Sequence, residues 1–144
     1  MNIGESGTKL IQSFEQCKLD AYMPTKNDVW TIGWGHTGVE VIKGLSWTQD
    51  QADEAFRKDI LWVETCINNN ITAPITQNEF DALCSLIFNI GCPAFRGSTL
   101  LRLLNSADFD SAAQQFKKWN KQAGQELAGL TRRRGQEYNL FEQA

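Results

Sequence analysis

The sequence predicts an α+β fold: a small N-terminal lobe with a short antiparallel sheet, a long linking helix, and a helical C-terminal lobe. Three observations carry this. Residues 20–47 break the helical period and are rich in Gly, Thr, Trp and Val. Two Thr-led capping boxes then open apolar stripes at helical spacing. The rest of the chain is helical in pattern, without internal repeats or low-complexity tracts. A length of 144 residues fits one domain over 1–144. Its lobes are expected at about 1–47 and 69–144, joined by a helix at about 48–68.

Residues 7–16 read as a short amphipathic helix, with Leu10, Ile11 and Phe14 on one face and Ser6 as its N-cap. After the turn-like Pro24-Thr25-Lys26-Asn27-Asp28, the run Val29-Trp30-Thr31-Ile32-Gly33-Trp34-Gly35 alternates like a strand. Thr48-Gln49-Asp50-Gln51 starts the long helix, roughly 49–67, and Asn68-Asn69-Asn70 is expected to end it. Thr76-Gln77-Asn78-Glu79 starts another helix, whose stripe is Phe80, Leu83, Cys84, Ile87 and Phe88. Gly91 is its expected C-cap, and Pro93 blocks continuation. Further helices fit 98–105, 108–121 and 130–142.

Composition narrows the function classes. Apolar residues make up 42% of the chain, enough for a sizeable core. The net charge of −3 argues against non-specific nucleic-acid binding. Basic residues nevertheless gather late, at Lys117, Lys118, Lys121, Arg132, Arg133 and Arg134. Cys17, Cys66, Cys84 and Cys92 form no CxxC pair and there is a single His, so neither a metal site nor a cofactor is expected. The N-terminus has no basic and apolar leader, and no segment approaches a membrane span. The four cysteines are therefore read as reduced and mostly buried. A target outside the cytoplasm would need another component to release the protein.

Glycoside hydrolysis needs a carboxylic acid that protonates the leaving oxygen, and usually a second carboxylate that activates water or attacks the sugar. Glu15, after Phe14 at the end of the first helix and just before the sheet, suits the acid. A solvated helix-end Glu is the plainer reading of its spacing. The wider pattern favours the first reading. Phe14-Glu15, then Tyr22, then Trp30-Thr31-Ile32-Gly33-Trp34-Gly35-His36-Thr37 closely resembles the phage-type lysozymes, glycoside hydrolase family 24. The resemblance continues through residues 80–91, 94–102 and 129–134.

That resemblance implies a lysozyme-like fold and a muramidase that hydrolyses the β-1,4 bond between N-acetylmuramic acid and N-acetylglucosamine in peptidoglycan. It makes Glu15 the general acid and Thr31 the active-site threonine. It also implies inversion, which sets the two carboxyls ~6.5–9.5 Å apart. It points to Gly33, Thr37, Phe88, Asn89 and Arg132 (with neighbouring Arg133) for substrate binding, and pairs His36 with Asp59 structurally. Trp34 and Trp119 are the cleft-aromatic candidates, whereas Trp62 reads as packing. The implied setting is host lysis: synthesis as a monomer in the host cytoplasm, release with a holin-type membrane protein, and action on the periplasmic wall.

One departure stands out. Two residues after Tyr22, where the family has Asp or Cys, this chain has Pro24, and the segment from Glu15 to Thr31 is one residue longer than expected. Three explanations follow. Asp28 takes over as second carboxylate, the preferred reading, set against a turn Asp that bonds its own backbone. Alternatively, Thr25 or Thr31 holds the water. Or the protein is a weakened, wall-binding relative. Asp20 is the lower-ranked acid. A lytic transglycosylase, which needs one catalytic acid, is a further alternative.

Overall fold

The computed structural model describes residues 1–25 and 28–143. The lysozyme-like α+β architecture expected from the sequence is present. Helix α1 (Glu5–Glu15) leads into strands β1 (Lys18–Tyr22), β2 (Thr31–Gly33) and β3 (His36–Thr37). Seven helices occur among the described residues: α2 (Gln49–Asn70), α3 (Gln77–Ile90), α4 (Cys92–Arg96), α5 (Thr99–Asn105), α6 (Phe109–Gln115) and α7 (Ala128–Glu142) follow α1. Between α6 and α7 lies a small hairpin of β4 (Lys121–Gln122) and β5 (Gln125–Glu126).

The first helix begins earlier than its apolar pattern suggests, and its N-cap is Gly4 rather than Ser6. The reason lies outside the helix. Asp81, buried on α3, accepts the backbone N–H groups of Gly4 at 2.8 Å and Gly7 at 3.1 Å. A carboxylate from a neighbouring helix thus replaces the local side-chain cap and meets the positive helix end. Gly7 permits the approach, since a Cβ there would lie 2.8 Å from that of Asp81. Grouped by sequence with the sheet in 1–47, α1 in fact packs on α3.

The sheet is antiparallel in the order β1-β2-β3. Tyr22 pairs with Thr31, and Thr31 with Thr37, so these three side chains form one cross-strand row. Ile32 points the other way and is fully buried beneath the sheet. Of the turn that joins β1 to β2, Lys26 and Asn27 lie outside the described residues.

Both capping boxes form. The Thr48 hydroxyl accepts from Gln51 N–H and the Thr76 hydroxyl from Glu79 N–H, with the reciprocal bonds in place. The asparagines do not stop α2 at residue 67; it runs to Asn70, where the Asn70 amide donates to the Cys66 carbonyl. Gly91 ends α3 in a conformation of φ 89°. Pro93 then sits in the first turn of α4, where a missing N–H costs nothing. The helix expected over 108–121 ends in a 3-10 turn at Phe116–Lys118, and the β4–β5 hairpin follows. Its two-residue turn uses Ala123 and Gly124, both at positive φ. Ala-Gly carries a weaker turn signal than Asn-Gly, so the sequence concealed it.

The reading of the cysteines as reduced is corrected for two of them. Cys66 on α2 and Cys92 on α4 form a disulfide with Cα atoms 6.0 Å apart. The spacing of 26 residues hides this pairing in the sequence, because the chain must leave α2 and return along α3 to bring them together. Closing a loop of that length in the unfolded chain is worth about 3.5 kcal/mol. Cys17 and Cys84 are free, the latter buried, and burial raises the Cys84 thiol above its ordinary range.

The core centres on α3, where every residue from 80 to 87 is buried. A helix apolar on most sides must be surrounded. Here α1, α2 and α7 enclose it, and Phe95, Leu100, Leu104 and Phe116 complete the cluster. Polar groups inside this core meet each other. Glu137 on α7, fully buried, accepts from Ser85 Oγ at 2.5 Å, from Arg133 Nε at 3.3 Å and from Arg134 Nη2 at 3.0 Å. Its other oxygen lies 2.6 Å from Arg134 Nε, an ion contact without hydrogen-bond alignment. Removing one member of such a set leaves buried charge uncompensated. Glu137→Ala is expected to lower unfolding free energy by about 3–5 kcal/mol in a denaturant titration, far more than a surface Glu→Ala change.

Candidate active site

Glu15 is the last residue of α1. Gln16 follows in a left-handed conformation, φ 50°, which turns the chain sharply toward β1 and leaves Glu15 at the mouth of the fold. Its carboxyl is fixed from both sides. Oε2 accepts from Arg133 Nη1 at 2.7 Å. Oε1 faces Gly35, where a Cβ would lie only 2.4 Å away. Arg133 is itself held by the Ser85 carbonyl at 3.1 Å and by Glu137. The guanidinium lies 5.4 Å over the Phe14 ring. Glu15 therefore sits in a mostly closed setting, its side chain 18% exposed.

The sequence reading selected Arg132 for the substrate. The structure places Arg132 at the surface, 5.9 Å over Phe14, and brings the neighbouring Arg133 to Glu15. The available signal was helical phase: Arg133 and Glu137 are four residues apart, so they share a face. Arg134 lies next to them, 1% exposed, bonding the Asn89 side chain at 2.9 Å and the Trp119 carbonyl at 3.1 Å.

Gly33 is the last residue of β2. It is buried, and its open side faces Trp47 and Ala52 rather than a cleft. Gly35 is the glycine beside the acid, and its φ of 77° independently favours Gly. The Thr-Ile-Gly-Trp-Gly run contains both, and pattern alone does not say which is adjacent to the acid.

Two concavities flank the end of α3. One, with a volume of about 200 Å³, is walled by Gly35, Thr37, Asp59, Trp62 and Phe88. The other, about 420 Å³, is walled by Asp28, Asn89, Trp119, Lys121 and Leu130. Phe88 and Asn89 thus line different spaces, and Gly35, which lines the first, also lies against Glu15. Tyr22 responds to both sides: burial raises its phenol above the ordinary range, and the charges of Glu15 and Asp28 raise it further.

Asp28 is held in its turn. Oδ1 accepts from Val29 N–H at 2.8 Å, and Oδ2 accepts the Thr25 hydroxyl at 3.1 Å. Asp20 points elsewhere, accepting from Ser46 across an isolated bridge. Thr31 is 5% exposed and donates its hydroxyl to the Val29 carbonyl at 3.2 Å, which leaves oxygen lone pairs to accept. Trp34 is half-buried against Phe56 and donates its indole N–H to Asp53. Trp62 is no packing residue: it is 76% exposed.

His36 lies between two carboxylates, with Nδ1 2.7 Å from Asp59 and Nε2 2.7 Å from Glu40. The Asp59 bond, with help from Glu40 and against burial, raises the imidazole to about 9. It is therefore cationic at neutral pH, linking β3 to α2. A wider hollow of about 840 Å³, lined by His36, Glu40, Trp47 and Asp50 among others, opens on this side and contains neither Glu15 nor Asp28.

Relatives agree with this architecture. The Phage lysozyme family model matches residues 12–137. The chain is 45% identical to the endolysin of Acyrthosiphon pisum secondary endosymbiont phage 1 across the whole of both chains. It is 41% identical to the endolysin of Salmonella phage P22 over 98% of each. The crystal structure of a P22 lysozyme mutant, L86M, superposes with a TM-score of 0.81 over 99% of both chains. The muramidase domain of SpmX from Asticaccaulis excentricus superposes at 0.88, with 39% identity over 99% of both. The chain belongs to the phage lysozyme family, the muramidases of phage endolysins.

Two expectations follow from the geometry. Gly35→Ala should push the Glu15 carboxyl from its place and lower turnover about a hundredfold, with helical circular dichroism retained. His36→Asn should reduce stability yet keep substantial activity in the folded fraction. The raised imidazole stabilises fully below its unfolded value near ~6.5, and that stability is lost as pH rises through the folded value. The wild-type advantage over His36→Asn in urea midpoint should therefore be largest at acid pH and shrink as pH passes about 9. An advantage that grows with pH would contradict the ion-pair assignment.

Proposed function

We propose that this chain is an endolysin working as one lysozyme-like domain over residues 1–144. It would hydrolyse the N-acetylmuramic acid β-1,4 N-acetylglucosamine bond of peptidoglycan, with Glu15 as general acid. The observation that carries this is the two-sided hold on Glu15. Arginine only donates, so Oε2 must accept from it. The transferable proton then belongs on Oε1, the oxygen beside Gly35, a glycine that also lines the concavity of Phe88 and Thr37.

In this reading, Glu15 Oε1 gives its proton to the bridging oxygen as the bond to the anomeric carbon breaks. Water adds its oxygen to that carbon and passes a proton to Asp28, while Thr31 accepts a hydrogen bond from the water. Inversion follows from attack on the opposite face. One observation supports Asp28: it lines the concavity beyond Asn89. Phe88 and Thr37 would contact sugar. Asn89, fixed by Arg134, would contact the neighbouring unit.

The bonds that tie Asp28 to its own turn favour a second reading, in which Glu15 works alone and the muramyl hydroxyl closes the ring, as in a lytic transglycosylase. Pro24 keeps the wall-binding alternative in view. In the proposed setting the protein is a monomer made in the host cytoplasm. It reaches the periplasmic wall through a holin-type membrane protein. No helix among the described residues is long and apolar enough to cross a membrane.

A turbidity assay on permeabilised Gram-negative cells tests the enzyme. Glu15→Gln should lose at least about a hundredfold in clearing rate, and Asp28→Asn a comparable factor. Unchanged clearing by Glu15→Gln would overturn the mechanism, and no clearing by wild type would favour wall binding. Reducing muropeptide ends in mass spectrometry support hydrolysis, whereas anhydro ends support the second reading.

A further inference from the structure

We infer that Trp62 is a binding platform for an additional saccharide of the glycan strand, extending the site along α2. This rests on the reading of Glu15 as the centre of a glycan cleft.

Asp59, Trp62, Val63 and Cys66 recur at the spacing of a single stripe of α2. Three of them have partners. Asp59 pairs with His36, Val63 joins the core, and Cys66 is bonded to Cys92. Trp62 alone in the stripe is open to solvent, 76% exposed. It does not stand on a convex surface. It walls the concavity of Gly35, Thr37, Phe88, Gly91 and Cys92. Gly35, which lines this space, also lies against the Glu15 carboxyl.

The chemistry of that space fits a sugar. A pyranose has apolar C–H faces and a polar rim. Trp62 and Phe88 offer aromatic surface, and the exposed Thr37 hydroxyl offers donor and acceptor. Among the described residues the Trp62 indole N–H has no hydrogen-bond partner, unlike that of Trp34, which is committed to Asp53. The walls are also fixed. The disulfide ties the turn after Trp62 to Cys92 on the far side, so the ring and its opposite wall are held at a set separation without closing on each other. Pre-built concavity of this kind binds without a large ordering cost.

The test compares wild type, Trp62→Ala and Trp62→Phe on peptide-free glycan strands of graded length. Removing the ring should raise KM on long strands about tenfold, a loss in the range of one aromatic contact. Phe should restore part of it. The kcat on the shortest cleavable fragment and the melting temperature should stay at wild-type values. Titrating long strands should shift tryptophan emission in wild type, and by less in Trp62→Phe. Equal KM for wild type and Trp62→Ala on long strands overturns the inference. So does a defect that appears only when stem peptides are attached, because the occupant is then peptide. Calorimetric titration of peptide-free strands onto Glu15→Gln, with and without Trp62→Ala, separates the two levels. Strands that bind Glu15→Gln equally well in both backgrounds overturn the platform. Wild type that neither binds nor cuts strands overturns the glycan-cleft reading itself.

Discussion

The cluster of buried Arg133, Arg134 and Glu137 with the partly exposed Glu15 is the constraint on which the rest of the molecule depends. Glu137 is fully enclosed, and two guanidinium groups converge on it. Neither would be stable there without the other sign of charge. Because Arg133 also reaches Glu15, the same cluster that α7 needs in order to pack is what places the acid. The packing of α7 and the placement of the Glu15 carboxyl are thus coupled through one side chain. The coupling explains why so polar a face of α7 lies against α3.

Much of the fold could be read from the sequence. The two capping boxes announce α2 and α3, and Gly91 announces the end of α3, because each of these signals is local. What the sequence hid was set by partners distant along the chain. Gly4 became the start of α1 because Asp81, far away on α3, supplies the cap. The Cys66–Cys92 bond depends on the path of α3 between its ends. The Ala123-Gly124 turn lacks the side-chain signature that usually marks a hairpin.

The site was legible to a similar depth. Glu15 and the His36–Asp59 pair lie where family likeness suggested, since both belong to stretches that match in spacing. The groups that touch Glu15 are Arg133 and Gly35; the sequence named Arg133 only as the neighbour of Arg132 and did not single out Gly35. Pattern identifies a cluster of like residues, whereas only packing selects the member that faces inward. Trp62 was misread for the converse reason. An aromatic at helical spacing is usually core, but here the stripe turns outward at the cleft.

The anchoring of α1 has a further consequence. Its start is tied to α3 through Asp81, and its end is tied to α7 through Arg133. The acid is thereby part of the helical body. Tyr22, Thr31 and Thr37 ride on the sheet, which is linked to that body along α2. Any hinge-like excursion of the sheet is therefore also a change in the gap between the Glu15 carboxyl and the groups opposite it. The molecule has the geometry of calipers, with Glu15 on the fixed jaw.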